Sequence, residues 1–252
     1  MNSMFIASFG LKTTIQKLIF TLRDFADYAE LHPAREMKRL ALAESVELVR
    51  KRMPTAQGVE SSREVLSIAL SQVMPQGHCL EFGVFKGGTI RFIADRLPHR
   101  TIHGFDSFQG LPSRWTGDAF NFDAKGQPSI GRPNVQLHAG WFSDTLPPWL
   151  ANNSGPAAFI HVDSDLYESA KCVLELLEPR IVPGTVIVFD EYFNYPGWTE
   201  GEHRAFIELE ERAGLTCEYL AYARFQVAVV VTAVGRNKSA VSPLKEALAG
   251  KW

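Results

Sequence analysis

Two acidic clusters, His161-Val162-Asp163-Ser164-Asp165 and Phe189-Asp190-Glu191, each close an apolar run of the kind that forms a buried parallel strand. A carboxylate beside a core costs several kcal/mol in desolvation unless something pairs with it, and acids gathered at strand ends suit a bound divalent cation. An upstream run, His78-Cys79-Leu80-Glu81-Phe82, breaks into Gly83-Val84-Phe85-Lys86-Gly87-Gly88-Thr89, a glycine-rich turn of the kind that lets a backbone approach a nucleotide-like ligand. Acids and turn together point to a metal-assisted enzyme with a nucleotide cofactor.

The turn reads Gly-x-x-x-Gly-Gly, which departs from the Gly-x-Gly-x-x-Gly pattern whose second glycine admits a pyrophosphate, so NAD and FAD are disfavoured. S-adenosylmethionine has no pyrophosphate. It needs one close backbone approach and an acid, here Glu81, for its amino acid portion. The next strand ends at Asp106, where an acid either accepts hydrogen bonds from ribose hydroxyls or caps the following turn. After a third strand, Trp141 or Phe142 either stacks near an adenine or fills the core. His138, His161 and His203 can titrate near neutrality, and His138, at a strand end, is the preferred proton acceptor. His161, two residues before Asp163, points to the same sheet face and suits a supporting role. Asp165 precedes a helical pattern at Leu166-Tyr167-Glu168 and reads as its N-cap.

The elements that must position these groups alternate along the chain. β-rich runs at His78–Phe82, Thr101–Phe105, Val135–His138, Ala157–Val162 and Thr185–Phe189 are separated by helical stretches, the signature of βαβ units and a parallel sheet. Cys217–Tyr222 and Phe225–Val231 are joined by Ala223-Arg224 alone, which is too short for a parallel crossover and predicts an antiparallel hairpin. Residues 1–74 form a helical prefix divided by Pro33 and Pro54, read as a lid or oligomerisation segment. Residues 75–235 form the catalytic domain, and 236–252 a tail. Ser107–Pro133 is a long irregular segment whose Trp115, Phe120 and Phe122 either shape a pocket or pin the loop to the core. Tyr192–His203, dense in aromatic and polar groups, either borders the substrate pocket, where rings can stack on sugar faces, or is an ordinary packed loop.

Bulk properties narrow the class. A chain of 252 residues with 46% hydrophobic content can bury one sizeable core, and its formal charge of -2 supplies no field for phosphate backbones, which argues against nucleic acid. Cys79, Cys172 and Cys217 are widely spaced, which fits neither a disulfide framework nor a zinc knot and points to a reducing, cytoplasmic setting. No run reaches the roughly 20 apolar residues a membrane span needs. The amphipathic segment Met1–Phe20 lacks the layout of a secretory signal and reads as a lid or subunit-contact helix, with no stable membrane insertion.

The motifs together resemble the class I S-adenosylmethionine-dependent methyltransferases, and among them the macrocin O-methyltransferase family of sugar-modifying enzymes. The resemblance rests on Leu80-Glu81-Phe82-Gly83-Val84 with Gly87-Gly88-Thr89, Gly104 to Pro112, Gly140-Trp141-Phe142-Ser143-Asp144-Thr145-Leu146-Pro147, Asp163 to Glu168, and Pro183-Gly184 followed by Asp190-Glu191-Tyr192. It implies an α/β fold with a Rossmann-like, doubly wound, seven-stranded, mostly parallel sheet that ends in an antiparallel hairpin. It also implies methyl transfer from S-adenosylmethionine to a hydroxyl of a sugar or other polyhydroxylated small metabolite. The cofactor would be held by Glu81, Gly83, Gly87, Thr89, Asp106, Ser107, Phe108, Gly140 and Trp141. A magnesium ion would be held by Asp163, Asp190 and Glu191, with Asp163 thereby catalytic. The family usually carries two aspartates where this chain has Asp190-Glu191. A homo-oligomer is expected from the apolar prefix. The competing readings are a metal-independent methyltransferase with a nitrogen or carboxylate acceptor, a non-catalytic cofactor-binding assembly protein, and an NAD-dependent oxidoreductase.

Overall fold

The computed structural model describes residues 32–111 and 123–235. The expectations placed on Met1–Phe20, on Trp115, Phe120 and Phe122, and on the tail from 236 lie outside those residues. Eight strands form one sheet: β1 (Gln57–Gly58), β2 (His78–Phe82), β3 (Ile102–Asp106), β4 (Val135–Ala139), β5 (Ala157–Val162), β6 (Val186–Phe189), β7 (Leu215–Tyr222) and β8 (Val227–Val234). Their spatial order is β1-β7-β8-β6-β5-β2-β3-β4. β8 runs antiparallel to both β6 and β7, as the two-residue link requires. The seven-stranded expectation is corrected by β1, a two-residue edge strand paired parallel to β7 through Gln57↔Ala221 and Gly58↔Tyr222. The prefix is therefore not wholly helical.

Continuous apolar runs become strands covered on both faces. All six residues of β5 and all four of β6 are buried. Helices α2 (Ser62–Ser71) and α3 (Gly88–Arg96) cover one face, with Val65, Ala69, Ile90 and Ile93 packed against Cys79, Phe159, Val186 and Val188. Helices α4 (Phe142–Asn152), α5 (Tyr167–Leu177) and α6 (Glu202–Ala213) cover the other, where Leu146, Val173, Leu177 and Phe206 meet Leu80, Ile160, Ile187 and Phe189. α1 (Pro33–Arg52) joins that layer through Ala41 and an ion pair from Arg52 to Glu210 at 2.7 Å, while Met37, Leu40, Leu42 and Val46 stay exposed. The order of the parallel strands reverses between β2 and β5, with β3 and β4 on one side and β6 on the other. Doubly wound sheets bind ligands beyond the carboxyl ends of the strands at such a switch point.

Candidate functional site

Register places the chemistry. Glu81 on β2 lies opposite His161 on β5, and His161 opposite Val188 on β6, so the next residues along, Gly83, Asp163 and Asp190, emerge together at the switch point. Beyond these ends opens a cleft of about 330 Å³ lined by Gly83, Asp106, Ser107, Gly140, Trp141 and Asp163, among others. Six of the predicted residues therefore share one cavity.

Gly83 earns its place by packing as well as by ligand access. At φ 94° a Cβ there would run into the Asp163 carbonyl oxygen, so the glycine turn and the acidic loop can touch only if this residue has no side chain. Asp106 holds the same turn. Its Oδ2 accepts hydrogen bonds from the amides of Val84 and Phe85 at 2.8 and 2.7 Å, and its Oδ1 accepts from Phe108 at 2.7 Å. The turn-capping reading of Asp106 is thus realised, and a carboxylate with about four acceptor positions retains one for a hydroxyl. Gly87 is the left-handed N-cap of α3 at φ 77°, and Arg91 donates to the carbonyl oxygens of Lys86, Gly87, Ser129 and Ile130, tying the turn to the 129–130 loop.

Asp163, Asp190 and Glu191 each bring a carboxylate oxygen within 4.8 Å of the others. Desolvation, then the negative charge of Asp190, pushes Asp163 well above the ordinary carboxylate range, and burial with the charges of Asp163 and Asp190 does the same to Glu191. Asp190 moves the other way: burial opposes its ionisation, but the neighbouring His161 and an amide donated by Gln226 at 3.3 Å hold it low. His161, with no exposed side-chain surface, places Nδ1 3.1 Å from Glu81 Oε1 and Nε2 3.9 Å from Asp190 Oδ1. Burial disfavours its charge, yet the two carboxylates outweigh that and keep the imidazole protonated well above its usual value. Among the described residues, Glu81 Oε2, His161 Nε2 and Glu191 Oε2 are buried without a hydrogen-bond partner, as are Trp198 Nε1 and His203 Nε2 in the neighbouring ring cluster. Of these only Glu191 belongs to the acid rim; Glu81 lies beneath the cleft and a protonated His161 Nε2 is a donor, so the open acceptor on the rim is Glu191 Oε2. Hard carboxylate oxygens at this spacing fit a magnesium-type cation.

Several expectations shift. His138 is not among the cleft-lining residues: its ring stacks on Phe105 at 4.5 Å and its Nε2 lies 3.1 Å from His103 Nδ1. Asp165 does not cap α5, whose N-cap is Leu166 with no side-chain hydrogen bond. Asp165 instead holds a left-handed backbone at φ 59° and faces the cleft. Glu81 is fully buried under the cleft against His161 rather than on its wall, Phe108 is buried in the α3-side core, and Thr89 and Gly87 sit in the first turn of α3 away from the lining. The cleft also takes Glu168, Ser169 and Cys172 from α5, whose i, i+1, i+4 spacing was the available signal. Glu202 on α6 had no local signal beyond an acid at a helix start. It is fully buried, and burial pushes it up to about 8 against amide donation from Ser164 and Glu191.

Residues 80–192 match the family model described as a methyltransferase domain. It is 30% identical over 144 residues to 8-demethyl-8-(2,3-dimethoxy-alpha-L-rhamnosyl)-tetracenomycin-C 4'-O-methyltransferase from Streptomyces olivaceus, covering 46% of this chain and 53% of that one. It thus spans about half the length of that relative. It is 28% identical to mycinamicin III 3''-O-methyltransferase from Micromonospora griseorubida over 59% of this chain and 66% of the relative. A crystal structure of a calicheamicin methyltransferase aligns with a TM-score of 0.53 and 26% identity, covering 66% of this chain and 78% of that one.

Proposed function

We propose that the methyltransferase domain transfers a methyl group from S-adenosylmethionine to a hydroxyl of a sugar or polyhydroxylated small metabolite, with a divalent cation, magnesium by the donor set, at Asp163, Asp190 and Glu191. One observation carries this reading: Asp163 both lines the cleft and belongs to the three-carboxylate rim, so cofactor cleft and cation site share a residue. The relatives whose names specify acceptors act on sugar-bearing natural products, which supports a hydroxyl acceptor of that class.

In this reading Gly83, Asp106, Ser107, Gly140 and Trp141 bind and orient the cofactor, with Trp141, 40% exposed at the cleft, offering its ring to the base. Glu81 lies beneath the cleft and holds His161 beside Asp190. A cation bound at the rim would lower the pKa of acceptor hydroxyls and fix their direction. A sulfonium is already a strong methyl donor, so the chain contributes chiefly alignment and a place for the hydroxyl proton. Asp165 replaces His138 as that place. It lies on the cleft wall two residues from Asp163, in a strained backbone conformation that packing must maintain, a feature concentrated at functional sites.

The reading extends to a homo-oligomer, supported by the four exposed apolar residues along α1, and to a reducing, cytoplasmic setting, supported by three cysteines free of disulfides. Among the described residues no helix is long and apolar enough to cross a membrane. Calorimetric titration of S-adenosylhomocysteine into the purified protein tests the cofactor assignment. One site per chain is expected with magnesium and after chelation alike, because the cleft residues are protein-held. Absence of binding in both conditions would overturn the assignment.

A further inference from the structure

The two loops that carry the rim belong to different strands, Asp163 after β5 and Asp190-Glu191 after β6, and something must fix their separation. Glu202, the first residue of α6, spans them. One carboxylate oxygen, Oε1, accepts the Ser164 amide at 3.2 Å with the Ser164 hydroxyl at 3.5 Å, and the other, Oε2, accepts the Glu191 amide at 3.1 Å. Its side chain is fully buried, so water cannot replace either bond. An acid in the first turn of α6 is also favoured by the helix dipole.

We infer that Glu202 is a positioning residue for the cation: a single carboxylate from a third element clamps the backbone beside Asp163 to the backbone of Glu191. It touches no cation itself. Its two amide bonds set the distance between the loops, and with it the spacing of the carboxylates. The longer Glu191 side chain has more rotamers to search than an aspartate, so fixing its backbone matters more in this chain. This inference rests on the cation reading above.

The test uses the full chain and Mn²⁺ as probe, followed by electron paramagnetic resonance, with S-adenosylhomocysteine affinity and thermal unfolding measured in parallel. Glu202→Gln keeps the volume but can accept through only one of its two terminal atoms, and Glu202→Asp keeps the carboxyl group but withdraws it by one methylene. Both variants are expected to bind Mn²⁺ about tenfold to a hundredfold more weakly, the usual effect of removing a group that orients metal ligands, while S-adenosylhomocysteine affinity stays within about twofold. Wild-type Mn²⁺ affinity in Glu202→Gln would overturn the inference while leaving the cation site standing. Parallel loss of both ligands in both variants would assign Glu202 to the fold alone and overturn it too. Absence of Mn²⁺ binding in the wild type would instead remove the cation reading, and the inference with it.

Discussion

Two places in this molecule bury titratable side chains against the same sheet, and they resolve the cost in opposite ways. Beside α4, His103 accepts from Trp149 Nε1 at 3.3 Å and lies 3.1 Å from His138 Nε2, while His78 Nε2 is 2.8 Å from the Ser154 carbonyl oxygen. Rings pack edge-on around Trp149, and none of these side chains is left with an orphaned buried atom. Burial, then His138 and His78, lowers His103 to about 4, so His103 stays neutral within a self-satisfied cluster. At the switch point, by contrast, carboxylates crowd together with three polar atoms unpaired. The histidine cluster is finished as it stands, whereas the acid rim is completed only by a ligand. Like charges held together at the edge of a cleft separate the rim from the histidine cluster.

The largest effect expected is at Asp165. Asp165→Asn keeps the shape but cannot take a proton, so kcat for methyl transfer should fall by roughly 10²–10⁴-fold with S-adenosylhomocysteine affinity unchanged. A fall in affinity with kcat preserved would return Asp165 to a binding role and erase the contrast with His138.

The histidine cluster should register in stability and pH dependence. His103 is held below its ordinary value of 6.5, so the unfolded chain binds more protons in the window between 6.5 and about 4. Its contribution is intact above 6.5 and is progressively lost as pH falls toward 4, by about 3 kcal/mol. Urea midpoints across that window should decline more steeply for the wild type than for His103→Gln, and matching slopes would show that His103 does not stay neutral.

The smallest effect concerns His138. His138→Phe preserves the stack on Phe105 and removes one hydrogen bond, costing about 1 kcal/mol in thermal or urea unfolding. Its kcat should stay within about twofold of the wild type, whereas loss of turnover would restore the proton-acceptor role read from its position at a strand end.

The place of His138 among buried rings shows how far residue order carries. β5 and β6 were legible because strands buried on both faces are written as unbroken apolar runs, and the hairpin because Ala223-Arg224 leaves no room for a crossover. Asp163, Asp190 and Glu191 were legible because acids that end such runs emerge on one edge of the sheet. The partners of His138 are Phe105, 33 residues away, and His103 on the same neighbouring strand, and no local pattern announces them. Asp165 looked like a cap since its left-handed backbone is set by the packed loop, and Glu202 is tied to Ser164 across 38 residues. β1 escaped because two residues carry no periodicity and pair only once β7 is in place.

The central claim, a methyl transfer that depends on the carboxylate rim, is tested most directly with methyl-labelled S-adenosylmethionine and a panel of deoxysugar glycosides. Transfer is measured with magnesium, after chelation, and after magnesium is restored. Label should pass to an acceptor with magnesium, stop on chelation and resume on restoration. Transfer at the same rate in the presence of chelator would contradict a working cation at Asp163, Asp190 and Glu191.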